Sequence, residues 1–336
     1  MISLKAIRLI LRHFDSIDYC VSKRLMRKRP WSEPALTSLL CDLLDQDDQV
    51  DEKIKYSIDQ LNADLASEDG LVDLSFEIET HEYGPDLEAY VTQADLGLVI
   101  KYDDCLLPPN SWGRSWLLQA KRVSPDRRHH PQYTETASFR SHDSAQHSRI
   151  VGLRNLVGHD FIRYLLYCPR AEFLDPTTKL KLQHLRNSAL AGHIFDYALG
   201  LELREDLLSP SSTVDAGIFV SLVDDLPSSL GSVYQALFHG VSPFAWFILS
   251  QFGGNDRIGR SAQGKPFPDS GEHGPDIARG IVSGDQKVIK SVLAQLGEET
   301  NQKNFRFLPP HTLTIGISVG QKLSKDFRQI RKIDLG

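Results

Sequence analysis

Two short apolar runs in this chain carry polar residues at their ends. Asp95 stands at the mouth of Thr92-Gln-Ala-Asp-Leu-Gly-Leu-Val-Ile100, and Gln119 and Lys121 close Trp116-Leu-Leu-Gln-Ala-Lys121. Continuous apolar runs of this length read as strands covered on both faces of a sheet. A charge buried there without a partner is costly, so a carboxylate, an amide and an ammonium set into such strands are expected to meet each other, a metal ion or a substrate. Side chains alternate along a strand, which turns Gln119 and Lys121 to one face and Ala120 to the other. Carboxylate, amide and ammonium together suit the hydrolysis of a phosphodiester. That reaction needs an activated water and a sink for developing negative charge.

The elements that would position these residues can be read along the chain. Residues 3–13 have helical spacing, and the basic run 23–29 ends at Pro30. A helix starts after Ser32, a good N-cap, with Glu33 and Pro34 in its first turn and an apolar stripe of Leu36, Leu39, Leu40, Leu43 and Leu44. A further helix is expected near 51–66. Residues 72–79 alternate as a half-buried strand, and a turn at 83–86 leads to a second strand over 88–100. A loop over 103–114 returns into a third strand at 115–123. After a polar, His-rich stretch come a helix over 144–157 and an apolar segment at 161–168, a strand or a buried helix end.

The remainder suggests helices at 178–200, 229–239 and 285–297 and strands at 216–223 and 312–319. Residues 244–252 form a buried element of either type, and 253–276 form a long loop. The expected fold class is α/β: a small mixed central sheet flanked by helices, with a C-terminal α+β extension. The expected divisions are a basic helical segment (1–30), a core (31–170) and an extension (171–336) that completes the core or serves sensing, oligomerisation or partner binding.

The net charge of −6 is that of an ordinary globular protein, but it averages opposed blocks. Residues 1–30 hold eight Lys/Arg against two Asp/Glu, residues 42–104 three against nineteen, and residues 114–170 ten against four. An acidic block around Asp95 flanked by basic ones suits carboxylates that hold a cation beside cations that hold phosphates. Solvated helix faces explain the same pattern. No apolar stretch has the length of a bilayer span, no signal peptide is evident, and the four scattered cysteines read as thiols, so a cytoplasmic protein without membrane contact is expected. The histidines at 129, 130, 142 and 147 match no zinc-finger spacing, and no Walker loop, GxSxG elbow or HExxH is present.

Glu33 on a leading helix, Asp95 on the second strand and Gln119-x-Lys121 on the third together resemble the PD-(D/E)xK nuclease superfamily. The QxK form is similar to that of Mrr-like restriction endonucleases, and the resemblance covers roughly residues 31–170. It implies a restriction-endonuclease-like core and a Mg²⁺- or Mn²⁺-dependent endonuclease acting on DNA, of the restriction or anti-phage defence kind. Asp95, the Gln119 side-chain carbonyl and the Ala120 backbone carbonyl would hold the metal, with Glu88 or Glu79 as further candidate ligands. Lys121 would stabilise charge at the phosphate, and Glu33 would orient a water. Lys28, Arg29, Arg122, Arg127 and Arg128 are the candidate nucleic-acid contacts, and the C-terminal half could hold a protein partner or a second copy. Two competing readings stay open: a non-catalytic scaffold that binds nucleic acid or a partner protein, and a structural protein in which Asp95 and Lys121 form a buried ion pair.

Overall fold

The structure is a computed structural model that describes residues 3–45, 54–68, 72–80, 89–90, 94–126, 132–139, 144–157, 161–191, 214–252, 274–295, 305–306 and 308–320. The chain opens with three helices, α1 (Leu4–Lys23), α2 (Glu33–Leu44) and α3 (Ile58–Glu68). Four strands follow: β1 (Val72–Thr80), β2 (Ala89–Tyr90), β3 (Leu96–Asp104) and β4 (Trp112–Arg122). Next come α4 (Ser144–Val157), β5 (Ile162–Tyr167), α5 (Pro176–Ala191), β6 (Ile218–Leu222), α6 (Leu230–Gln235), β7 (Val241–Pro243) and α7 (Phe244–Phe252). The described chain ends with α8 (Gly274–Val282), α9 (Gln286–Gln295), β8 (Phe305–Arg306) and β9 (His311–Val319).

Seven strands form one mixed sheet in the order β1-β9-β3-β4-β5-β6-β7, and β2 and β8 form a separate parallel pair. The α/β layering expected from the sequence is therefore present. The division at residue 170 is not a boundary of the sheet. β9 runs antiparallel to β1 and parallel to β3, so a strand from the last tenth of the chain fills the space between two early ones. β6 and β7 extend the sheet on the other side of β5. Residues 1–30 are likewise no separate basic segment. α1 buries Ala6, Ile7, Ile10, Leu11, Phe14, Ile17 and Val21, a stripe at helical spacing, and leaves its cations outside.

Helices cover both faces of the sheet. α1, α2, α3 and α7 lie on one face, where Phe247 of α7 meets Trp116 of β4 edge to face and Phe244 meets Phe14 of α1. α4 and α8 lie on the other, where Val282 closes over Gly97. β4 runs at the centre, and Trp116, Leu117, Leu118 and Ala120 are all buried, which is why its sequence is apolar without alternation. Several boundaries differ from the sequence reading. β3 runs on to Asp104 and β4 starts at Trp112, so the loop between them is shorter, because hairpin pairing from Leu96–Leu118 to Tyr102–Trp112 outweighs the polar residues at 101–104 and 112–114. Residues 244–252 are helical, and the expected 83–86 turn lies outside the described residues. Of the cysteines, Cys41 and Cys168 are buried, Cys20 is half-buried and Cys105 is exposed, all as free thiols.

A fragment spanning 31–170 lacks α1, β9 and β6 and should therefore lack a cooperative thermal transition by circular dichroism. A sharp melt with dispersed amide resonances would show that the sheet does not depend on its C-terminal strand.

Candidate active site

β4 outruns β3 at one end. The ladder with β3 stops at Leu96–Leu118, whereas pairing with β5 continues through Gln119–Tyr164 and Lys121–Leu166 to Arg122–Tyr167. On the β3 side, the edge of residues 119–122 thus faces a notch rather than a strand. Backbone groups on such an edge must find other partners or forfeit the free energy of a hydrogen bond. Two carboxylates supply them. Asp95, one residue beyond the end of the ladder, accepts from the Ala120 N–H at Oδ2, 2.8 Å away. Glu33, from the first turn of α2, accepts from the Arg122 N–H at Oε1, 2.9 Å away. The Ala120 carbonyl belongs to the same edge, so its oxygen enters the notch too.

Gln119 follows the strand alternation, and its side chain is almost fully buried. Its Nε2 donates to Asp95 Oδ2 at 2.5 Å and to the Ala120 carbonyl at 3.3 Å. This differs from the sequence expectation that the amide would present its carbonyl oxygen. Beside a carboxylate and a carbonyl the N–H end is the favoured one, and a half-turn of the amide about its last torsion would exchange the two ends. The Asp95 carboxyl is pushed up to about 7. Burial is the main cause; the Ala120 N–H opposes it, the Glu33 charge adds to it, and the Lys121 charge opposes it. The raised value is thus mainly an effect of burial, which the Ala120 N–H and the Lys121 charge only partly offset.

Lys121 lies two residues along from Gln119 on the same face, 4% exposed beneath α4. Its ammonium donates to Gln146 Oε1 at 2.5 Å. The next residue, His147, shares a hydrogen bond of 3.0 Å between its Nδ1 and the Tyr164 hydroxyl, and Tyr164 is the cross-strand neighbour of Gln119. Burial raises the Tyr164 phenol to about 12, so at neutral pH it keeps its proton. Neither Gln146 nor Tyr164 was singled out from the sequence. The available signal was the need of a buried strand lysine for an acceptor from the covering helix, whose first turn holds Gln146. On the opposite face, Thr37 ties α2 down by donating to the Glu33 carbonyl while accepting from the Tyr167 hydroxyl. Ser32 occupies the N-cap position of α2 but makes no side-chain cap there.

The other candidates are placed differently. Arg122 was expected to contact nucleic acid, but its Nη1 donates to the Pro30 and Trp31 carbonyls at 3.2 and 2.7 Å, holding the segment that delivers Glu33. Lys28 and Arg29 are exposed in the turn that precedes α2. Beside them the guanidinium groups of Arg24 and Arg27 lie over the Trp31 ring, 5.0 and 5.3 Å from its centroid. Glu79 is exposed on edge strand β1, two strands from β3. Glu88, Arg127 and Arg128 lie outside the described residues, as do His129, His130 and His142. Among the described residues no three His, Cys, Asp or Glu side chains cluster as a metal site, and no helix is long and apolar enough to cross a membrane. Trp246 and Phe247 are buried in the core. No family model, curated protein or solved structure matches the chain.

The raised Asp95 value has a consequence for stability. A carboxyl whose folded-state value lies above its unfolded value of 3.8 favours the fold only while protonated. That stability is fully present below about pH 4 and is lost as pH rises through about 7. Asp95→Asn keeps an acceptor for the Ala120 N–H without the charge. In metal-free buffer the variant should match the wild type near pH 4 and exceed it by on the order of 4 kcal/mol at pH 8, measured by urea denaturation. An Asn variant less stable at pH 8 would show that the carboxylate is satisfied by its protein neighbours alone.

Proposed function

We propose that this protein is a Mg²⁺- or Mn²⁺-dependent endonuclease that hydrolyses DNA phosphodiesters, built on a restriction-endonuclease-like core of the PD-(D/E)xK kind. The observation that carries the reading is the convergence at one strand edge of Asp95, Glu33, the Ala120 carbonyl and Gln119, with Lys121 on the same strand. Every donor in the notch that could face a cation is oxygen, as a hard divalent ion requires, once the Gln119 amide is turned. The near-neutral Asp95 carboxyl marks a place where an added positive charge is favoured.

Asp95, with the Gln119 and Ala120 oxygens, would hold the ion. Such an ion acts as a Lewis acid and lowers the pKa of a bound water. The protein's own groups do the rest. The Lys121 ammonium stabilises negative charge on the phosphate oxygens, and Glu33 accepts a hydrogen bond from the attacking water and orients it. Lys28 and Arg29, exposed ahead of α2, hold the substrate backbone through its phosphates, a contact that weakens with salt. A role in restriction or anti-phage defence follows from the family resemblance alone. The second reading, a non-catalytic scaffold that binds nucleic acid or a protein partner, is favoured by one observation: Asp95, Gln119 and Ala120 already satisfy one another.

Incubation with plasmid and single-stranded DNA under Mg²⁺, Mn²⁺ or EDTA separates the two. Metal-dependent cleavage is expected, falling by about 10²-fold or more in Lys121→Ala and Asp95→Asn and by less in Glu33→Gln. Binding without cleavage, unchanged in all three variants, would establish the scaffold instead.

A further inference from the structure

The turn that joins α1 to α2 gathers cations that the fold does not neutralise. Residues 23–29 hold five Lys or Arg and no Asp or Glu. Lys23, Arg27, Lys28 and Arg29 are exposed, and among the described residues no carboxylate pairs with Arg27, Lys28 or Arg29. The guanidinium groups of Arg24 and Arg27 lie 5.0 and 5.3 Å from the centroid of one ring, that of Trp31. Burial, and then the Arg27 charge, lower the Arg24 guanidinium, so the two cations feel each other. An aromatic face attracts a cation and narrows the positions that a long side chain samples. The ring is itself held: Trp31 packs partly into the core, and its carbonyl accepts from Arg122 Nη1 at 2.7 Å. Trp31 and Glu33 are two residues apart, so their backbones lie within about 7 Å of each other.

We infer that this turn is the surface on which a DNA backbone docks beside the notch, with Arg27, held on the Trp31 ring, as the anchoring phosphate contact and Lys28 and Arg29 next to it. A planar guanidinium meets two phosphate oxygens at once, and a side chain already held loses less freedom on binding. Like charges gathered on one turn repel, and a polyanion relieves that repulsion while releasing its own counterions. An anionic membrane is the other polyanion of this kind, but segments that bind it also turn apolar side chains outward to enter the lipid. Here Leu25 is buried, and Met26 and Trp31 pack against the core. The inference rests on the nuclease reading for the choice of DNA, but the surface needs no turnover.

The experiment follows binding of a fluorescently labelled DNA duplex to the full chain in EDTA, by anisotropy, across a range of salt concentrations. Arg27→Ala should flatten the slope of log Kd against log salt by about 1, and the combined change Arg27→Ala, Lys28→Ala and Arg29→Ala by about 3. Trp31→Leu should bind as Arg27→Ala does, and Trp31→Phe, which keeps an aromatic face, should restore the slope. A wild-type slope in the triple variant would overturn the docking surface, and one in Trp31→Leu would remove the part given to the ring. Phosphatidylserine vesicles that bind the wild type but not the triple variant, with DNA binding unchanged, would assign the turn to a membrane instead. DNA binding that follows the expected slopes, without cleavage under Mg²⁺, would sustain the surface while overturning the nuclease reading.

Discussion

The length difference between two neighbouring strands governs the site. β4 reaches Arg122 beside β5, but β3 begins only opposite Leu118, so a central strand acquires an edge inside the sheet. An edge of that kind carries N–H and C=O groups that no strand pairs, and burial makes leaving them unpaired costly. Asp95 and Glu33 answer the two N–H groups, and their positions are dictated by that need: one at the mouth of β3, the other at the first turn of α2. The same arrangement brings the Ala120 carbonyl, which accepts from Gln119 Nε2, and both carboxylates to one strand edge. What satisfies the backbone thus also gathers the oxygen donors.

The helices act as clamps on this edge. Arg122 Nη1 holds the Pro30–Trp31 carbonyls and Thr37 links α2 to Tyr167, which together set the height of Glu33. On the other face Gln146 and His147 fix α4 to β4 and β5. β9 completes the support, because its pairing with β3 sets where that strand starts and therefore where Asp95 stands. A site held from three separated segments is precise only if the whole sheet is assembled, a common condition for groups that must be kept in fixed geometry.

Local periodicity made much of the fold legible. The helix over 144–157 follows from the apolar spacing of Ile150, Leu153 and Val157, and the strand at 72–80 from its alternation. Asp95, Gln119 and Lys121 were readable because polar groups in apolar strands are conspicuous. Strand order was not readable: the alternation of 311–319 marks a strand but carries no sign that it enters between β1 and β3. Gln146 was invisible because an amide in a polar first turn looks like any surface residue; only the opposed lysine gives it meaning. The structural role of Arg122 was not legible because a count of charges cannot tell a guanidinium facing solvent from one bonded to backbone carbonyls.

A second buried carboxylate shows what the notch lacks. Asp18 of α1 also caps backbone at a strand start, accepting from the Gly217 and Ile218 N–H groups, and burial likewise raises it, to about 6. Asp18, however, takes its positive partner in direct contact, Arg170 Nη1 at 3.1 Å, with Asp15 sharing the same guanidinium. That latch between α1 and β6 is complete within the chain. Asp95 does the same backbone work, but the cation beside it, Lys121, is drawn toward Gln146, and Glu33 adds negative charge where Arg170 would add positive. Two carboxylates with one structural duty thus differ in how their charge is met. Asp18 has its charge met by an arginine inside the fold, and Asp95 has its own met by hydrogen bonds from Gln119 and the Ala120 N–H.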